Sequence, residues 1–364
     1  MNIKKPDIVI TKLDYVKSNG FISSSLILEL TGKDANVIIA NTLRRVGYDD
    51  IPTYAFAYIN IEHNNSVFNN DMMKIHLKQL PIYDINNKLY YLHPSFWENV
   101  DYNDKNRQKH EKEQMIDAVV NMYNNTNQIR NVTTDDMEYY IDGNKQKYPN
   151  KNPDAPILLI QLRPNETFKC VMKGCLGVGE NSNIWAASHA FYEEIEKNKI
   201  KFTIESMGQM PEHDIIIKGC KLIKMKLEGI KNEITNRVKS RDITKNQSII
   251  FDLQNEDFTI GNLINDILQN HEDIIFAGIS KIDHLVKMIR FKMSSVSGKT
   301  PIEPFFDSIK FLMVLFDSIE KQIMKIKDLD KLKQIMFNDE DNQSNSQKKN
   351  KVVQTTKDTK IDIS

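Results

Sequence analysis

The chain alternates between short stretches of period-two apolar alternation and stretches whose apolar residues recur every three to four positions. Residues 7–31 alternate on both sides of Ser18-Asn19-Gly20. Asn-Gly is the strongest short hairpin signal, so two paired strands are predicted there. A helix follows, with Asp34 as its candidate cap and Ile38, Ile39, Thr42, Leu43 and Val46 on one stripe. Gly47 and Pro52 bracket its end, residues 54–61 have strand composition, and a second short helix is predicted over 71–80, stopped by Pro81.

From 99 to 153 the rhythm breaks. Asn, Asp, Lys and Gln crowd a loop-rich insert that carries a short apolar patch at Met115, Ile116, Ala118, Val119 and Val120 and is expected to hold one helix. Strand signals resume at 157–162, 167–172 and 200–206. Pro211 then stands as the first residue of a helix with Ile216, Cys220, Ile223, Leu227 and Ile230 on one stripe.

The polar, aperiodic stretch 231–248 reads as a linker. Beyond it a strand leads to a helix with Thr259 as candidate cap and Leu263, Ile264, Ile267 and Leu268 on one face. Two strands and a long helix over 302–326 complete this second unit, the helix aligning Phe305, Ile309, Leu312, Phe316, Ile319, Ile323 and Ile326. Side chains of this kind contribute about 1.5–3 kcal/mol each when fully buried. The stripe is broader than so small a unit covers alone, which predicts a partner surface. The polar tail from Asn338 is expected to be disordered. One order, strand, capped helix, strand pair and closing helix, occurs twice, and the fold class expected is α+β.

Composition narrows the function classes. Lys+Arg and Asp+Glu both number 49 in 364 residues, so the formal net charge is zero. That balance argues against a chain whose main task is gripping phosphate backbones, and no sequence-specific nucleic-acid binding is expected. Three cysteines, no apolar run near the ~18 residues of a membrane span and an N-terminus without a signal-peptide core lead to an expectation of a soluble, intracellular protein. Cys170 and Cys175 are too few for a zinc site. GCLGVGE (174–180) lacks the ending of a phosphate loop and reads as a tight turn, and no nucleophile stands in a catalytic context. No catalytic, cofactor-binding or metal residues are therefore expected. Arg44 and Arg45 remain open between a solvated helix end and a docking role, since Arg forms bidentate pairs with carboxylates.

Several segments carry a family resemblance. ANTLRRV (40–46) followed by DIPTYAF, and NSVFNNDMMKIHLKQLPI (65–82), resemble the alpha-like assembly subunit of multisubunit DNA-directed RNA polymerase, with Ser66, Val67, Leu77 and Pro81 in place and Asn70, Asp71, Ile75-His76 and Lys78 as departures. VMKGCLGVGENSNIWAASHAFYEEI is similar to a later segment of that subunit, and FTIESMGQMPEHDIIIKGCKLIKMKL to its closing strand and long helix. NEDFTIGNLI (255–264) resembles the small partner subunit, with Glu256, Asp257, Thr259, Gly261, Asn262 and Leu263 matching and Phe258 replacing His. IIFAGI with Asp283-His284 resembles that subunit's next step. The two are ordinarily separate polypeptides, and their fusion resembles the form of large nucleocytoplasmic DNA viruses.

The resemblance implies two alpha-like dimerisation domains folded into an intramolecular pseudo-dimer. The larger-subunit-like domain would comprise 1–82 and 200–230, with an insert at 83–199, the linker at 231–248, a small-subunit-like domain at 249–327, and the end of the closing helix plus tail at 328–364. The internal dimer interface would hold Ile39, Leu43, Val46, Leu263, Ile264, Ile267, Phe305, Ile309, Leu312, Phe316 and Ile319. Asn41, Arg44 and Arg45 would face the second-largest polymerase subunit. The family's role is non-catalytic, without a cofactor: a platform for the largest and second-largest subunits and small assembly subunits, monomeric within the complex, in host cytoplasm and virion, with no membrane partner. The cysteine-rich metal loop of some cellular members has no counterpart, since 83–156 contains no cysteine. The alternative is a free-standing virion or interaction protein that kept the fold.

Overall fold

A computed structural model describes residues 5–17, 24–85, 96, 100–104, 107–152, 154–239, 248–283 and 285–358, with backbone alone from 333 onward. The predicted turn at Ser18-Asn19-Gly20, residues 240–247 of the predicted linker, His284 and residues 359–364 lie outside the described residues.

The first half opens with strands β1 (Val9–Val16) and β2 (Ser25–Thr31), helix α1 (Val37–Asp49), strand β3 (Thr53–Asn64) and helix α2 (Asn70–Lys78). Strands β4 (Ile116–Tyr123), β5 (Arg130–Thr133), β6 (Glu138–Ile141), β7 (Asn144–Gln146), β8 (Leu158–Leu162) and β9 (Thr167–Gly177) follow. The half closes with β10 (Ser188–Glu196), β11 (Lys199–Ser206) and helix α3 (Glu212–Lys239). The second half is β12 (Ser248–Gln254), α4 (Phe258–Gln269), β13 (Ile274–Ser280), β14 (Met288–Ser295) and α5 (Ile302–Asp358).

The duplication read from the sequence is structural. One antiparallel sheet has the order β1-β2-β11-β10 and another β12-β14-β13, so β2, α1, β10, β11 and α3 correspond to β12, α4, β13, β14 and α5. The correspondence extends to the turn that launches each long helix. Ser206 Oγ donates to Met210 O and Ser295 Oγ to Lys299 O, both at 2.5 Å. Gly208 and Gly298 hold φ of 96° and 83°, the left-handed region glycine enters without penalty. The Pro211 and Pro301 carbonyls accept from Ile215 N and Phe305 N, each at 3.2 Å.

The two halves share one hydrophobic cluster. It runs from Leu28, Phe202 and Ile223 in the first half to Leu263, Phe291 and Phe316 in the second without interruption. A separate cluster, built on Phe56, Tyr139, Phe168 and Met172, supports the insert, whose main sheet has the order β3-β9-β4-β6-β7. The insert thus leaves the first half after α1 and returns at β10.

Several expectations are corrected here. Residues 53–78, assigned to the dimerisation domain, belong to the insert, because β3 pairs with β9 and Phe56 and Leu77 bury in the insert cluster. Residues 188–199, assigned to the insert, supply β10 and its turn to the first sheet. The insert segment 99–153, expected to be loop-rich with one helix, carries strands β4 to β7, and in β4 Ile116, Ala118 and Val120 are buried at period two. The linker assignment fails over 231–239, which continue α3, with Ile234 only 2% exposed in the shared cluster. The backbone of α5 runs to Asp358, with no Gly or Pro after Pro304. The caps lie elsewhere too. Asn36 accepts from Ile39 N at 2.9 Å and Asp257 from Thr259 N at 2.8 Å, while Asp34 accepts from Asp7 N. Pro211 precedes α3, which starts at Glu212.

Candidate functional site

The strongest constellation in the chain is the seam between its halves. Helices α1 and α4, the matching helices of the repeat, meet across it. Asn36, the cap of α1, donates from Nδ2 to Asp266 Oδ2 at 2.9 Å. Asp257, the cap of α4, receives the Arg45 guanidinium at 2.9 Å. Arg45 stands nine residues after Asn36, and Asp266 nine after Asp257. Each cap therefore contacts the same position of the opposite helix, the reciprocity of a two-fold interface. This is a dimer interface written within one polypeptide.

Below that pair lie the long helices. Ile39, Leu43, Val46, Leu263, Ile264, Phe305, Ile309, Leu312, Phe316 and Ile319 are all buried in the one shared cluster, and half-buried Ile267 packs against it. Polar contacts fix the register around this apolar centre. Lys224 on α3 reaches Glu320 Oε2 at 2.6 Å and Asp317 at 3.3 Å on α5. Lys12 on β1 pairs with Asp330 at 2.6 Å, and Lys327 with Asp214. Gln322 accepts from Ile10 N at 2.8 Å and donates to Ile8 O at 3.0 Å. That amide occupies the free edge of the first sheet, which would otherwise invite pairing with another chain.

An ionic cluster is buried at the seam. Lys226 on α3 lies 3.1 Å from Asp50 at the end of α1 and 3.9 Å from Glu256, just before the cap of α4. Burial pushes the Glu256 carboxyl up to about 7; Lys226 opposes this and Asp50 adds to it. A carboxyl raised in the folded state binds its proton more tightly there than in the unfolded chain. Its stabilising contribution is complete below about pH 4.5 and lost as pH rises through about 7. Glu256→Gln is therefore expected to remove this slope. Urea unfolding at pH 5 and pH 8 should show the variant gaining on the natural chain by on the order of 3 kcal/mol at the higher pH. Parallel pH profiles would reject the assignment.

The sequence-nominated docking residues separate. Arg45 is engaged within the chain by Asp257 and, at 3.4 Å, by Asp49, and through Asp257 it ties one half to the other. Arg44 projects from α1 half-buried, with Nε and Nη2 at 3.1 and 2.9 Å from Asn41 Oδ1, and has no carboxylate partner among the described residues. The amide orients the guanidinium without neutralising it. Sequence reasoning missed Asn36, Lys226, Asp266 and Gln322. The only signal available was the doubled register, with a polar residue nine positions after each cap.

The three cysteines are buried, and burial pushes the Cys170 thiol up to about 12. In GCLGVGE, Gly174 and Gly177 lie in β9, and the turn follows. Among the described residues no group of His, Cys, Asp or Glu has the arrangement of a metal site, and no helix is long and apolar enough to cross a membrane.

Comparison with known proteins agrees with the doubled architecture. A family model described as the RNA polymerase Rpb3/Rpb11 dimerisation domain matches residues 29–227. A second model of the same description matches residues 248–322. The chain is also 26% identical over 348 residues, 88% of its own length and 95% of the other's, to an Acanthamoeba polyphaga mimivirus protein described as a DNA-directed RNA polymerase subunit.

Proposed function

This chain belongs to the RNA polymerase Rpb3/Rpb11 dimerisation family, and from that premise we propose that its internal dimer is the assembly platform of a viral DNA-directed RNA polymerase, docking the two largest subunits. The observation that carries the reading is the single hydrophobic cluster crossing from one family domain to the other around a reciprocal helix pair. Two such domains that have already satisfied each other have no dimerisation surface left to fill, and the work left to the chain is to present its outer faces. Its task is structural, and the chemistry of RNA synthesis belongs to its partners. On this reading the chain works in the host cytoplasm and is carried in the virion.

Arg44 is the docking residue of this reading, and the second-largest subunit its partner. A guanidinium prepositioned by Asn41 and lacking an internal counter-ion fits a carboxylate presented by that subunit. Arg44→Glu, introduced with an affinity tag, is expected to leave thermal unfolding unchanged. Recovery of the second-largest subunit should fall roughly thirtyfold, as for an interface hot spot of about 2 kcal/mol. Arg45→Glu is the contrasting variant, which loses stability because it sets a carboxylate against Asp257. Undiminished recovery with Arg44→Glu rejects the docking role. Absence of both large subunits from the unmutated complex would favour a free-standing virion or interaction protein.

A further inference from the structure

The matched sheets of the internal two-fold differ by one strand. In the first half β1 lies antiparallel along the outer edge of β2 and buries Ile10, with Ile8 just before it, in the shared cluster. Its own outer edge is closed by Gln322 of α5, which bonds Ile10 N and Ile8 O. In the second half β12, the counterpart of β2, pairs with β14 on one side. Among the described residues no strand pairs with its other edge.

Two hydrogen bonds fix which backbone groups that edge presents. In an antiparallel pair each residue turns its N–H and C=O to one side of the strand, and successive residues alternate. Asn255 N donates to Lys287 O at 2.8 Å, so Asn255 faces β14, as do Leu253, Phe251 and Ile249 by alternation. Asp252 O accepts from Nη1 of Arg237 on α3 at 2.6 Å, so Asp252, Ile250 and Gln254 face the open edge. Arg237 takes that one carbonyl, and among the described residues no other side chain bonds the backbone of this edge. Ile250 is 56% exposed, and Phe251 and Val238 lie half-buried at the margin of the shared cluster. No proline or lysine blunts β12, and its one charge, Asp252, is held by Arg290 at 2.7 and 2.9 Å. An exposed edge of this kind is a template for another strand.

We propose that the open edge of β12 receives an extended segment of a partner protein, added antiparallel as β1 is added to β2. The incoming strand bonds the outward N–H and C=O groups of Ile250 and Gln254 and takes the place of Arg237 at Asp252. One of its faces sets an apolar residue on Phe251 and Val238, as Ile10 of β1 is set in the first half. The other face covers Ile250. The filled edge of β2 supplies the geometry, the backbone ladder supplies the affinity, and the apolar contacts choose the segment. The inference rests on the platform reading only in expecting a polymerase subunit to supply the strand.

The test uses the tagged full-length chain, purified natively with its partners and, separately, alone. Residue-resolved hydrogen exchange should show the amides of Ile250, Asp252 and Gln254 about tenfold slower in the complex, while those of Ile249, Phe251 and Leu253, already bonded to β14, change little. Ile250→Pro removes an outward N–H that the fold does not use and blocks an incoming strand. Ile250→Lys guards the edge with a charge and serves as the readout if the proline variant does not fold. The variant, folded as judged by its melting, should lower recovery of one partner about tenfold, the equivalent of one or two lost backbone bonds, and retain the subunit held through Arg44. Equal exchange in both preparations overturns the proposal, as does undiminished recovery with the folded variant. Protection that grows with the concentration of the chain alone overturns it too, since the occupant is then a second copy. Failure of the platform reading is read separately: protection by a partner that is not a polymerase subunit rejects that reading and leaves the strand site standing.

Discussion

Truncating Phe316 to alanine is expected to lower the unfolding free energy by about 3–5 kcal/mol, and to do so for both halves at once. Phe316 is fully buried on α5, in the cluster that also holds Ile39, Leu43 and Val46 of α1 and Ile223 of α3. The surrounding helices belong to two sheets and cannot collapse independently into the space a phenyl ring leaves, so the loss should stand near the full large-to-small cost. Because the cluster is continuous, the opening it measures is shared. Hydrogen exchange should accelerate in 37–49 and 212–239 as well as in 258–269 and 302–326. Protection in the insert sheet, which has its own cluster, should change far less. Exchange confined to the second half would show that the halves are separately stable, and would contradict a shared core.

Cutting the folded chain between Lys239 and Ser248 is the second large perturbation. The link turns association of the halves into an intramolecular event at an effective concentration in the ~mM range. A cut removes that advantage. An interface this apolar, resembling a core divided in two, is of the obligate kind. The pieces should therefore stay together at about 1 µM. Introduced into the cut chain, Phe316→Ala should weaken association by roughly two to three and a half orders of magnitude, the equivalent of 3–5 kcal/mol, and the pieces should part. In the uncut chain the same variant stays assembled, because the link restores what the ring supplied. Pieces that separate on cutting alone would show that the link, rather than the interface, holds the molecule.

The repeat was legible because its elements carry strong periods. The stripe from Phe305 to Ile326 and the capped helix around Leu263 need only pattern and composition to be seen. What pattern misread has particular causes. The patch at Met115–Val120 buries Ile116, Ala118 and Val120 on one face, and exposed Met115 and half-buried Val119 on the other blur that set into an apolar run without a clear period. Over 231–239 only Ile234 and Val238 are apolar, but they continue the α3 stripe, and two such positions suffice when the facing core is already built. Residues 53–64 have strand composition whichever sheet they join, and only β9, distant in sequence, decides it. At the seam, Arg44 and Arg45 differ in sequence by one position and in role by the helix's 100° step, which turns Arg45 toward Asp257. Asp257 itself was visible as part of a motif, while its pairing with Arg45 depended on how the two halves dock.

Sedimentation of the purified chain, intact and then cut between Lys239 and Ser248, tests the internal dimer most directly. The intact chain should sediment as a 42.3 kDa monomer at every concentration, and the cut chain as one species of the same mass. A concentration-independent species of twice that mass would contradict it by placing a dimer partner outside the chain, and immediate separation of the cut pieces would contradict it by showing that the link alone holds the halves.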